Sequence, residues 1–140
     1  MKYFKSVMLI FLLPVLAQAQ DARADQMPSI SFVGGSVKLN NSAKALLQSA
    51  AERIKGNPES KIIVKGYCGS SKREVQLSWD RVNNVINYLI EKEGINYERL
   101  IFQYGEDAGD CNTVDLKTAG PGVEGPHTVP APHPNLRRRN

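Results

Sequence analysis

The residues equipped for chemistry are few, and their distribution is the first result. Residues 20–118 contain no histidine, since the only two are His127 and His133. The usual general base for a serine or cysteine nucleophile is therefore missing from the body of the chain. No GxSxG, phosphate-cradling glycine loop, HExxH or DxDxDG calcium motif occurs. Two carboxylate pairs, Glu91 with Glu93 and Glu106 with Asp107, fall where a helix end or a turn exposes them, so they read as solvated surface rather than glycosidase acids. His127 and His133 supply only two ligands to any metal, and their proline-rich surroundings read as a spacer. No catalytic residue, metal or cofactor is expected, and the chain reads as a non-enzyme.

The most informative stretch is 64–85. A strand runs out at Gly66-Tyr67-Cys68-Gly69, and a helix carrying Leu77-Ser78-Trp79-Asp80-Arg81 follows. A helix start beside a strand end favours anions, because free N–H groups and the helix dipole point outward there. Arg81 could add a bidentate clamp for a carboxylate. An ordinary ion pair of Arg81 with Asp80 or Glu74 accounts for the same residues.

These side chains need elements to position them. Ile30 and Phe32 alternate before Gly34-Gly35, a short strand and turn. Ala43, Leu47, Ala50 and Ile54, with Leu46, share one face of a helix over 42–55, capped by Asn41 or Ser42 and ended by Gly56-Asn57-Pro58. Lys61-Ile-Ile-Val-Lys65 begins a buried strand that ends at Cys68. After the polar loop 69–73 comes a second helix marked by Leu77, Val82, Val85, Ile86, Leu89 and Ile90, and stopped by Gly94. Residues 99–104 form a third strand, 105–110 a loop and 114–118 a short fourth strand. The order is βαβαββ, an α/β fold with two helices packed on a mixed sheet of about four strands. From Ala119 the chain holds five of its eight prolines and no apolar periodicity, so 119–140 reads as a disordered tail behind a domain at 29–118.

Length and charge narrow the class further. The 140 residues fit one domain with some flanking chain. The net charge of +4 comes from Lys2, Lys5 and the triplet Arg137, Arg138 and Arg139, offset by Glu124, while residues 20–118 carry 13 basic and 13 acidic side chains. That neutral body lacks the clustered positive field needed for phosphates, and no nucleic-acid partner is expected. Met1 to Ala19 reads as a signal peptide with Lys2 and Lys5, an apolar run from Val7 to Leu16 and the cleavage site Ala17-Gln18-Ala19, followed by a polar leader at 20–28. No cysteine follows the apolar run to accept a lipid, so a periplasmic or secreted product without a transmembrane segment is expected. In that compartment the two cysteines, Cys68 and Cys111, read as one disulfide contributing roughly 2–4 kcal/mol.

Residues 30 to about 118 resemble the OmpA-like C-terminal domain, a periplasmic module that anchors outer-membrane proteins and lipoproteins to peptidoglycan. The resemblance rests on Ile30-Ser-Phe32, the helix from Ala43 to Ile54, Ile62-Ile-Val-Lys-Gly66, the series Leu77-Ser78, Arg81, Val85 and Tyr88-Leu89, then Gly94-Ile95, Arg99-Leu100 and Tyr104-Gly105-Glu106. It implies a site in which an aspartate and an arginine hold the two charged ends of diaminopimelate in the peptide stem. Arg81 matches the arginine, while Gly69 stands at the aspartate, Tyr67 and Cys68 at the signature histidine and threonine, and Glu74 at an asparagine. Cys111-Asn112-Thr113 replace the family's Asn-Arg-Arg, so both cysteines fall beside one pocket, which supports the bridge. The expected function is non-covalent binding of peptidoglycan by Arg81, Ser78, Gly69, Glu74 and Asp80, with Glu74 or Asp80 supplying the missing carboxylate. The alternative is the same fold, its ligand site lost, serving an envelope protein partner through the disulfide-pinned rim or the tail.

Overall fold

The computed structural model describes residues 27–67, 69–105 and 111–140. The signal peptide, most of the polar leader, Cys68 and the Glu106–Asp107 pair lie outside the described residues. The elements are β1 (Ser29–Ser31), α1 (Asn41–Gly56), β2 (Ile62–Tyr67), α2 (Lys72–Glu91), a 3-10 turn (Tyr97–Arg99), β3 (Leu100–Gly105) and β4 (Thr113–Thr118). This is the βαβαββ order expected from the periodicities. The sheet runs β1-β4-β2-β3, with β2 parallel to β3 and β4 inserted antiparallel between β1 and β2.

Strand alternation sends Ile62 and Val64 of β2, Leu100 of β3, Val114 and Leu116 of β4 and Ile30 of β1 into one buried cluster with the helices. The helices contribute Ala43, Leu47, Ala50, Ala51 and Ile54 from α1 and Val82, Val85, Ile86 and Leu89 from α2. The apolar face of α1 is rotated from the expected one, with Leu46 41% exposed and Ala51 buried. Alanine at 50 and 51 lets α1 lie close to its neighbours, and that close approach sets the helix's rotation. Its cap also moves, to Asn40, whose extended backbone frees Oδ1 to accept from the Ala43 N–H at 2.8 Å. At the other end Arg99 donates to the carbonyls of Ile54 and Asn57, both at 2.7 Å, and to that of Ser60. A cation there opposes the negative helix end and ties α1 to the start of β3.

Helix α2 crosses β2 at Gly66. A Cβ on Gly66 would sit 2.5 Å from Ser78 Oγ and 2.8 Å from Val82 Cγ2, so only glycine permits this approach. The contact fixes the height of α2 over the sheet, and with it the position of every residue in its first two turns.

Residues 119–140, which the sequence suggests as a disordered tail, form no helix or strand and lie against the domain. The Phe102 N–H on the outer edge of β3 donates to the Pro126 carbonyl at 2.8 Å, and the Leu100 carbonyl accepts from His127 Nδ1 at 2.8 Å. Gly125 rests on Ile101, Val129 packs on the core, and Lys61 pairs with Glu124 at 2.7 Å. Proline lacks a donor but keeps its carbonyl, which accepts from the N–H that the edge of β3 presents. Apolar periodicity marks helices and strands, and says little about an irregular segment held by edge hydrogen bonds and a few scattered apolar contacts.

Candidate functional site

Two faces of α2 carry the polar side chains singled out in the sequence, and the helical repeat separates them. Glu74, Leu77 and Arg81 follow one another at three and four residues and face one cavity, while Arg73, Gln76 and Asp80 repeat the same spacing one residue earlier on the neighbouring face.

The first face opens on a cavity of about 160 Å³ lined by Tyr67, Glu74, Leu77, Arg81, Cys111 and Asn112. Arg81 forms its inner wall and is only 1% exposed. Its Nε donates to the Ser36 carbonyl at 2.8 Å, Nη1 to the Cys111 carbonyl at 2.9 Å and Asn112 Oδ1 at 3.2 Å, and Nη2 to the Val33 carbonyl at 3.2 Å. The guanidinium also lies 5.2 Å from the centre of the Phe32 ring. One side chain thus ties α2 to the turn after β1 and to the chain entering β4. The planar fork of arginine suits this task, and no other side chain reaches all of these acceptors.

Glu74 stands at the exposed rim. Ser71 caps α2 by accepting from the Glu74 N–H at 3.2 Å, and Glu74 Oε2 accepts from Ser70 N at 2.8 Å and Ser70 Oγ at 3.1 Å. These bonds, the Ser70 backbone N–H foremost, hold its carboxyl below the ordinary value of 4.5. The group is therefore anionic at neutral pH. Tyr67 closes the other side, with burial and a hydrogen bond to the Asp115 carboxylate pushing its phenol up to about 12, so it stays neutral.

Of the residues expected at the site, the structure brings Arg81 and Glu74 to one cavity and takes the others elsewhere. Ser78 is buried against Gly66 and faces the sheet. Gly69 has φ +140°, and a Cβ there would stand 2.6 Å from Val75 Cγ2, 2.7 Å from Val75 N and 3.0 Å from Tyr104 Oη. The position the resemblance gives to an aspartate is thus closed to any side chain in this backbone. Asp80 is 0% exposed and turns to the second face, where Gln76 Nε2 donates to its Oδ1 at 2.6 Å and Arg138 Nη1 at 2.9 Å. A carboxylate one residue from Arg81 is rotated about 100° from it, whereas one seven residues away returns to the same face. That spacing was the signal in the sequence that favoured Glu74 over Asp80. Tyr67 and Asn112 complete the lining; the resemblance puts both at signature positions but gives neither a binding role.

Among the described residues no cysteine is free, and no group of three or more histidine, cysteine or acidic side chains could hold a metal. His127 lies edge-on to Tyr97, with ring centres 5.9 Å apart, and His133 stacks on Trp79.

Two helices thus cover one side of a four-stranded mixed sheet, with a polar cavity beside the start of the second helix. The pattern of the OmpA family matches residues 31–119, more than half of the chain, and the chain belongs to that family. Three solved structures share the fold. The C-terminal domain of MotB from Helicobacter pylori is 19% identical with a TM-score of 0.55, over 68% of this chain and 86% of that one. The OmpA-like domain of FopA1 from Francisella tularensis is 24% identical with a TM-score of 0.53, over 66% and 74%. The peptidoglycan-associated lipoprotein from Burkholderia pseudomallei is 20% identical with a TM-score of 0.54, over 65% and 89%. No curated protein matches the chain. No helix among the described residues is long and apolar enough to cross a membrane.

Proposed function

We propose that this chain is a non-catalytic module of the cell envelope that binds the peptide stem of peptidoglycan at the cavity beside α2. The observation that carries this reading is the placement of a cation and an anion, Arg81 and Glu74, on one cavity of about 160 Å³. A free amino-acid terminus such as that of diaminopimelate presents a carboxylate and an ammonium a few ångströms apart. Asn112, backed by the positive field of the Arg81 guanidinium that it binds, receives the carboxylate, and Glu74 receives the ammonium from the rim. Family membership and the similarity to a peptidoglycan-associated lipoprotein support the choice of ligand. Residues 1–19 act as the signal peptide, and the domain works in the periplasm, associated with the outer membrane or secreted. Cys68 and Cys111 pair to pin the rim, a reading supported by the even cysteine count and the lack of a free cysteine among the described residues.

The test is calorimetric titration of the protein with a diaminopimelate-containing tripeptide. Glu74→Gln keeps an oxygen that can accept from Ser70 and removes only the charge. It is expected to weaken binding about tenfold, or 1.4 kcal/mol, with only a small drop in melting temperature from the weakened bonds to Ser70. Affinity retained in full would remove Glu74 from the site. The pH profile supplies a second check. Because the carboxyl of Glu74 is lowered, its charge persists as pH falls past 4.5 and is lost only below that. Binding should therefore hold from pH 7 to about 4.5, the ordinary carboxylate value, and decline further down. A decline centred near pH 6 would point to a different group.

A second reading, a module for a protein partner, is favoured by one observation, the peptide-like segment already lying on the second face of α2.

A further inference from the structure

The second face of α2 is built as a receptor. Asp80 is wholly buried, yet the cations that meet it come from the far end of the chain: Arg138 Nη1 at 2.9 Å, with the Arg139 N–H on Oδ2 at 3.3 Å and Arg139 Nε at 3.9 Å. Beside it the His133 ring stacks on Trp79, with centres 5.4 Å apart and planes 17° from parallel, and His133 N donates to Gln76 Oε1 at 3.3 Å. Arg138 folds back to donate to the Pro130 carbonyl, which holds the segment in the shape that fits. A hollow of about 330 Å³ remains between Arg73, Gln76 and Asp80 on one side and Leu136, Arg137 and Arg139 on the other.

No helix or strand joins this segment to the domain. An aromatic platform, a buried carboxylate for a guanidinium and an amide for a backbone N–H are the means by which domains hold extended peptides in trans. Four prolines between 126 and 134 limit the freedom the segment loses on docking.

We propose that the Trp79–Gln76–Asp80 face is a peptide-binding groove for a proline-rich segment ending in arginines, which the chain fills with its own C-terminus and which accepts the same segment supplied in trans. The groove is separate from the Glu74–Arg81 cavity, and the inference stands whether or not that cavity binds peptidoglycan.

The test uses the full chain with Arg138→Ala and Arg139→Ala, which vacates the groove, and a fluorescent synthetic peptide of residues 126–140 followed by anisotropy. Saturable binding to the vacated variant is expected, at least tenfold tighter than to the wild type, whose groove is occupied. Adding Asp80→Asn should weaken it at least tenfold. A peptide in which the same two arginines are alanine should lose as much, and that arm leaves the protein untouched. Equal binding to wild type and vacated variant, or indifference to the peptide's arginines, would overturn the proposal. So would unfolding of the vacated variant, since the segment would then be part of the fold and not its ligand.

Discussion

Arg81→Ala is expected to destabilise the protein by about 3–5 kcal/mol, lowering the melting temperature by on the order of 10 °C or more. Four hydrogen bonds run from its guanidinium to Val33, Ser36, Cys111 and Asn112, from a side chain only 1% exposed. Charge-assisted bonds contribute roughly 1.5–3 kcal/mol each, so a simple sum would be larger than the range given. The acceptors are only part-buried, and water entering the vacated space would satisfy some of them. Arg81→Lys should fall between the two, because an ammonium places its donors at one point and cannot span both loops. Urea denaturation measures all three proteins. A loss below 1 kcal/mol for the alanine variant would mean that the loops hold themselves and that Arg81 serves the ligand alone.

Restoring the residue that the family resemblance implies at position 69 should harm the protein instead of improving it. Gly69→Asp places a Cβ at φ +140° within 2.7 Å of Val75 N. That N–H already donates to the Ser71 carbonyl at 3.0 Å in the first turn of α2, so the helix cannot retreat without losing its start. Backbone strain of about 1–3 kcal/mol and a comparable overpacking cost give a combined loss on the order of 2–5 kcal/mol. Gly69→Ala should cost nearly as much, which would identify the Cβ and not the charge as the cause. Tighter tripeptide binding by the aspartate variant at unchanged stability would show that position 69 can take a side chain and serve the site. The expectation is that position 69 has no room for a side chain, and that the carboxylate at the cavity is that of Glu74.

Much of this arrangement could be read in advance, for reasons that differ by element. The β-branched run Ile62-Ile63-Val64 and the spacing of Val82, Val85, Ile86 and Leu89 state their structures locally, because burial on one face needs only the repeat. The rotation of α1 was missed because alanine contributes little to an apolar pattern, yet Ala51 is buried and Leu46 is not. At the cavity, the sequence offers Arg81 together with both Glu74 and Asp80, and telling which carboxylate shares its face takes the helical angle as well as proximity in sequence. The double use of Arg81, as wall of the cavity and clamp of two loops, depends on carbonyls 30 to 48 residues away. Nothing local encodes that. The docking of the C-terminus was hidden for the same reason, since Arg138 and Asp80 lie 58 positions apart and proline-rich sequence is equally compatible with a bound and a free segment.

Whether a cation and an anion on one helix face hold the peptide stem can be measured by co-sedimentation of the mature protein with purified diaminopimelate-type sacculi. Wild type and Glu74→Gln would be compared at low and high salt, because a rim carboxylate is screened and a buried arginine much less so. The wild type is expected to pellet with the sacculi, less so at high salt, and Glu74→Gln to stay largely in the supernatant while remaining folded. Absence of the folded wild type from the pellet at low salt, or equal pelleting of the two proteins, would contradict it.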